Sequence, residues 1–185
     1  GESANSYSID WGTTDSKNYA ISEELGTLTV TTNATAAVKL IAADAEKVYD
    51  GTPLTKADGV TWEGLPAGFT VEASSTGSQT NAGESANVVN DGYVIYDANN
   101  VDQTANFTNV TKEPGTLTVT KAPVTIKTGS AEKEYDGTAL TKDEASISGL
   151  VNGETATVTA TGSQTEVGES ANSYSIDWGT TDSKN

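Results

Sequence analysis

The eighteen residues GESANSYSIDWGTTDSKN occupy positions 1–18 and recur unchanged at 168–185. No other feature narrows the fold as much, because identity over such a length ties the architecture to units that recur along the chain. Shorter echoes lie between the ends. Tyr49-Asp50-Gly51-Thr52 returns as Tyr135-Asp136-Gly137-Thr138, 86 positions later. TGSQT begins at Thr76 and Thr161, 85 apart, and GTLTVT at Gly26 and Gly115, 89 apart. GESAN begins at Gly1, Gly83 and Gly168, with spacings of 82 and 85.

The spacing predicts a module of about 85 residues. It places the C-terminal part of one module at 1–32, a complete module at 33–121, and the N-terminal part of the next at 122–185. Aligned on Tyr7 and Tyr93, the central copy runs three residues longer before GTLTVT. The surplus falls in Asp/Asn-rich sequence near Pro114, as expected of surface loops. The central GESAN continues as NVVNDGYVIYD, unlike the outer two. The terminal match, from position 1 to 168, therefore has a longer period of 167. The chain then reads as a window on an array of alternating related modules.

GTLTVT alternates Thr with small or apolar residues, the period-2 pattern of a half-buried strand. VKLI at 38–41, FTVEAS at 69–74, PVTIK at 123–127, TATVTATG at 155–162 and both YSIDW copies alternate similarly. Asp50-Gly51, Asp136-Gly137, Asp91-Gly92 and Asn152-Gly153 are hairpin-type turn dipeptides. Nothing sustains a helical stripe; a single helical turn is the most that 54–57 and 140–143 allow. The expected fold is all-β, with a core of Tyr49, Leu54, Trp62, Leu65, Phe69, Val71, Tyr93, Ile95, Phe107, Leu117 and Val119.

Charge removes several partners. Ten Lys and no Arg face 26 acidic residues, a net charge of −16. Such a field repels phosphate, so neither nucleic acid nor an anionic membrane is an expected partner. No apolar run approaches a membrane span, no signal peptide opens the sequence, and membrane insertion is not expected. Cys, Met and His are absent. Disulfides cannot stabilise the fold, and thiol and thioether oxidation cannot touch it.

Without His or Cys, the Ser-His-Asp and Cys-His nucleophiles and thiolate or imidazole zinc sites are impossible. A carboxylate pair could hydrolyse glycosides. It needs a concave pocket, for which a small β module with few aromatics leaves little room. No enzymatic activity, catalytic residue, cofactor or metal is expected. The acidic stretch 97–109 offers oxygen ligands for calcium, but its spacing does not match the D-x-[DN]-x-[DN]-G loop. A solvated inter-strand loop is the expectation. Sequons at Asn33, Asn106 and Asn109 are short enough to arise by chance. Trp62 is read as core; Trp11 and Trp178, beside Gly turns, stay open between core and sugar platform.

The residues AEKxYDGTxLT, TGSQTxxGESAN and GTLTVT followed by KAPVTI resemble the MBG or YDG tandem repeats of Gram-positive bacterial surface proteins. The resemblance covers the chain in several registers and rests on turn and strand signals. It implies a grasp-like fold in an extracellular, wall-attached, adhesin-like parent. Tyr49, Asp50, Gly51, Tyr135, Asp136 and Gly137 are its structural motif. Similar surface proteins sometimes carry a Lys–Asn or Lys–Asp amide cross-link. Lys47 aligns with Lys133, Lys56 with Lys142, and Asn18 roughly with Asn106, although exposed Lys at strand ends also blunts sheet edges.

The functional expectation is a stalk or fibre segment whose partners are neighbouring modules, in the same chain or head to tail. Residues 122–185 lack closing strands of the kind found at 19–31, and an open edge invites strand addition. The competing expectation is a binding repeat for host glycan, matrix protein or immunoglobulin, with its ligand-binding residues unknown.

Overall fold

The computed structural model describes residues 1–179 and 181–185 and is all-β. Its strands are β1 (Glu2–Ala4), β2 (Thr27–Thr29), β3 (Val38–Ile41), β4 (Ala45–Val48), β5 (Thr61–Glu63), β6 (Thr70–Glu72), β7 (Ser75–Thr76) and β8 (Gly83–Val89). These are followed by β9 (Val94–Tyr96), β10 (Val110–Glu113), β11 (Gly115–Thr120), β12 (Thr125–Thr128), β13 (Ala145–Ser148), β14 (Thr157–Ala160) and β15 (Tyr174–Asp177).

In the central segment, 33–121, two parallel ladders run between its beginning and its end. β10 pairs with β3, setting Lys112 opposite Leu40, and β11 pairs with β4, setting Leu117 opposite Ala45. Parallel strands require a long crossover, which everything from β5 to β9 supplies. Pro114 separates β10 from β11 and cannot donate to a ladder, so the two strands enter different sheets. The orders are β10-β3-β5 and β4-β11-β8-β7, with β6–β9 as a separate pair.

The core follows strand alternation. β3 turns Val38 and Leu40 inward, and β11 turns Gly115, Leu117 and Val119 inward with its Thr residues facing outward. Val38, Leu40, Ala42, Val89, Ile95 and Phe107 form one buried cluster, and Phe69 meets Phe107 edge to face at 5.2 Å. Of the expected core, Trp62 is a correction. On β5, an edge strand covered on one side only by β3, it is 38% exposed. Val38, Leu40, Ala42 and Val89 take the space instead.

One other expectation is corrected, the hairpin at Asp50-Gly51. Leu54 and Leu140 begin no helix; each forms an isolated bridge, to Gln79 and Gln164. The helical turns are 3₁₀ and lie at Ser16–Asn18 and Thr104–Asn106. Asp50-Gly51 does turn the chain, with Gly51 at φ +77, but closes no hairpin, because β4 finds its partner in β11.

Pairing registers repeat across segments. β1–β2 sets Ser3 opposite Leu28 as β8–β11 sets Ser85 opposite Leu117. β12–β13 sets Ile126 opposite Ile147 as β3–β5 sets Leu40 opposite Trp62. Ala160 faces Tyr174 as Ser75 faces Val89. The last pair corrects the alignment on Tyr93. Tyr174, identical in context to Tyr7, corresponds to Val89, so the extra length of the central copy begins at Asn90.

The identical eighteen-residue copies fold differently. The first uses its GESA half, as β1 against β2, whereas the last uses its YSID half, as β15 against β14. In the central segment β8 does both, pairing with β11 and β7. In each copy the half that forms a strand is the one with a partner strand beside it.

Candidate functional site

The YDGT motif builds a compact charged turn. Asp50 Oδ1 accepts from Thr52 N at 2.9 Å, Thr52 Oγ1 at 2.7 Å and Lys47 Nζ at 2.7 Å. Gly51 takes the left-handed φ between them, which a Cβ would oppose. Asp136 repeats the arrangement with Thr138 and Lys133. The Lys47 ammonium, followed by the two Thr52 donors, lowers the Asp50 carboxyl to about 2. Lys133 and Thr138 hold Asp136 lower still than the usual carboxylate range.

The two turns differ in what they meet. Tyr49 is 7% exposed and its hydroxyl donates to Glu154 Oε1 at 2.5 Å, whereas Tyr135 is 62% exposed. Around Tyr49 the central segment touches 122–185. Ala82 N donates across the junction to Asn185 Oδ1 at 2.8 Å, and within the third segment Ala122 N holds Asn185 by donating to its carbonyl oxygen at 2.8 Å. A cavity of about 130 Å³ lies at this junction, lined among others by Tyr49, Val124, Leu150, Glu154 and Trp178. Sequence reasoning missed Glu154, which lies outside the YDGT, TGSQT and GTLTVT repeats, and Asn185, although it is the counterpart of Asn18 in the eighteen-residue repeat.

A second feature is a groove of about 630 Å³ in the third segment. One wall is the backbone of 129–135, the other that of 162–172, with Leu140 and Lys142 between them. Asn172 ties the walls together, its Nδ2 donating to Gly129 O at 2.9 Å and Lys142 O at 2.8 Å. Asn87, fully buried, makes the same pair of bonds to Ala43 O and Lys56 O in the central segment. The Asn of GESAN therefore clamps two chain segments in the central and last copies, a role that its recurrence could have signalled, whereas Asn5 of the first copy bonds Gly26 O through its backbone N–H.

The remaining candidates are engaged locally. In the 97–109 stretch, Asp97 accepts from Asn99 N and Val101 N, and Asp102 from Thr104 N and Oγ1. These amide and hydroxyl donors lower both carboxyls. Among the described residues no three acidic side chains gather as a cation site. The aligned lysines end on carboxylates of their own turns, Lys47 on Asp50 and Lys56 on Asp58 at 3.0 Å, while Asn106 Nδ2 donates to Gln103. Trp11 stacks obliquely near Tyr19, with ring centres 5.8 Å apart. No helix among the described residues is long and apolar enough to cross a membrane.

Compared with models of protein families, with curated proteins and with solved structures, the chain finds no match.

Proposed function

We propose that this chain is a structural segment of a serial β-module stalk or fibre, belonging to an extracellular, wall-attached bacterial surface protein of the MBG/YDG-repeat kind. One observation carries the reading: pairing registers recur at about one-module spacing while the segments meet through a tight junction at Tyr49 and Glu154. Units that contact chiefly their neighbours extend in one dimension. The charge of −16 makes such rods soluble and mutually repelling. No part of the reading calls for catalysis or a cofactor.

Small-angle scattering on covalent tandems of the chain tests it. The maximum dimension should rise in near-equal steps with each added copy. A radius of gyration growing only as that of a compact globule would overturn the stalk.

A binding repeat is the second reading, favoured by the half-exposed indole of Trp62 on an edge strand. Multivalency would then supply the affinity for a host glycan or glycoprotein. Retention of tandem copies on a mucin-glycan array, lost with Trp62→Ala, would favour it over the stalk.

A further inference from the structure

We propose that Asn152 is a site of spontaneous covalent modification, at which the side-chain amide is lost as ammonia and the Tyr49 junction loosens in consequence. The chemistry stands on the loop itself; only its mechanical meaning rests on the serial-module reading. Asparagine is among the thermolabile residues. Of those in this chain, Asn152 alone precedes a glycine. The neighbour matters because the reaction is an attack by the following backbone nitrogen on the side-chain carbonyl carbon, and Gly153 has no Cβ to obstruct it.

The loop leaves both reacting groups accessible. Asn152 and Gly153, at φ +53 and +72, are the corner residues of a turn closed by Glu154 N donating to Val151 O at 2.9 Å. Both corner residues are exposed, and no ladder reaches them, since β13 ends at Ser148 and β14 begins at Thr157. Among the described residues neither the Asn152 side chain nor the Gly153 N–H makes a hydrogen bond. Other asparagine amides are tied down: Asn87 and Asn172 each donate twice, and Asn33 Oδ1 accepts from Thr35 N and Ala36 N. The repeat counterpart of the corner, Ala67-Gly68 in GLPAG, is exposed as well, with the third segment following it.

A base takes the Gly153 amide proton, and the nitrogen attacks Asn152 Cγ. The N–Cγ bond forms, the Cγ–Nδ2 bond breaks, and Nδ2 leaves as ammonia after regaining a proton from solvent. Water then opens the five-membered imide at either carbonyl. One opening gives aspartate, the other isoaspartate, whose main chain runs through the side-chain carbon. One water is consumed and one ammonia released, with no change of oxidation state.

The product lands on the junction. Asn152 Cβ and Nδ2 stand 2.5 and 2.6 Å from where a Cβ on Gly51 would be, so the amide lies against the Gly51 backbone. Asp50, ionised and paired with Lys47, precedes that glycine, and Glu154, two residues beyond Asn152, accepts the Tyr49 hydrogen bond. A carboxylate at 152 brings like charge to both, which disrupts a contact of this kind. Isoaspartate also lengthens the corner by one main-chain atom. In a stalk, the result is a joint that softens with age.

Ageing the full chain in mildly alkaline buffer tests the site and its consequence. Peptide mapping by mass spectrometry should find conversion at 152 ahead of every other asparagine, with isoaspartate among the products. Tyrosinate absorbance of the aged chain should show one phenol ionising earlier, because the bond to Glu154 that raises the Tyr49 value is weakened. Asn152→Gly suits the turn and has no amide to lose; with its fold verified by circular dichroism, it should titrate alike before and after ageing. An Asn152 that stays intact in the folded chain, or reacts no faster than the other asparagines, overturns the site. Conversion that leaves the phenol titration unmoved overturns the loosening, as does a shift that aged N152G shows equally. A compact covalent tandem, by contrast, would end the stalk reading without touching the chemistry at Asn152.

Discussion

The Tyr49 hydroxyl donates a 2.5 Å hydrogen bond to Glu154 Oε1 across 105 positions of sequence. The bond favours the neutral phenol, and burial adds to it, so Tyr49 ionises above its ordinary value of 10.0. A proton held more tightly in the folded state stabilises it at pH below the unfolded value, and that contribution is lost as pH rises through the folded one. Glu154→Ala removes the acceptor and its charge together. Tyrosinate absorbance should then show one phenol titrating earlier than in the parent, with the remaining titration curve unchanged.

Much of the strand content was legible, and the reasons differ by residue. GTLTVT alternates, and β11 buries Leu117 and Val119 while its Thr residues face outward. The YDGT turn was legible because Asp, Gly and Thr each have one local task there. Its parallel partner was not, since nothing in Ala45–Val48 points to a strand some seventy residues away. Trp62 misled because a large ring between Val60 and Leu65 suggests core, whereas its strand lies at a sheet edge. The two eighteen-residue copies mark the limit most plainly. Their sequences are the same, so the difference between a strand over GESA and a strand over YSID comes only from tertiary neighbours.

Acid should weaken the fold through the YDGT turns. Asp50, at about 2, and Asp136, lower still, bind their protons less readily when folded than when unfolded. Stability from such groups is present above the ordinary carboxylate value of 3.8 and is lost as pH falls through the folded one. Melting temperature should decline below about pH 4. Asp50→Asn should flatten part of that decline while lowering the plateau above it, because the amide keeps one acceptor but loses the attraction to Lys47.

Leu117 and Leu28 occupy the same place in the same six-residue sequence, yet one is fully buried and the other half exposed. Leu117→Ala should cost about 2–5 kcal/mol, the range for a core leucine with its cavity. Leu28→Ala should stay within about 0.5 kcal/mol, as exposed substitutions do. Urea unfolding at low protein concentration gives both values. Equal costs would mean that β2 is packed as tightly as β11.

Asn87 and Asn172 make matching pairs of bonds, but Asn87 is fully buried and Asn172 only half so. Asn87→Ala takes the side-chain donor from the buried Ala43 carbonyl, while Lys56 O keeps its bond from the Ser75 hydroxyl. The expected loss is about 1–3 kcal/mol, the desolvation cost of an unmade buried bond. Water reaches the corresponding site in the third segment, so Asn172→Ala should cost less than half as much by the same measurement.

Gly51 and Gly137 share a left-handed backbone, φ +77 and +76, but not a neighbourhood. A Cβ on Gly51 would lie 2.5 Å from Asn152 Cβ, whereas one on Gly137 meets nothing within 4 Å. Both Ala substitutions incur about 1–2 kcal/mol for forcing an L-residue into that region. Only Gly51→Ala should also press the central segment away from residue 152. Asn152→Gly removes the opposing Cβ and suits its own φ of +53. The double variant should therefore recover the part of the Gly51→Ala loss that exceeds Gly137→Ala, a non-additivity expected of residues in direct contact. If Gly51→Ala and Gly137→Ala cost the same, the junction is too loose to resist a methyl group. It could not then hold successive segments in a fixed direction, as a stalk requires.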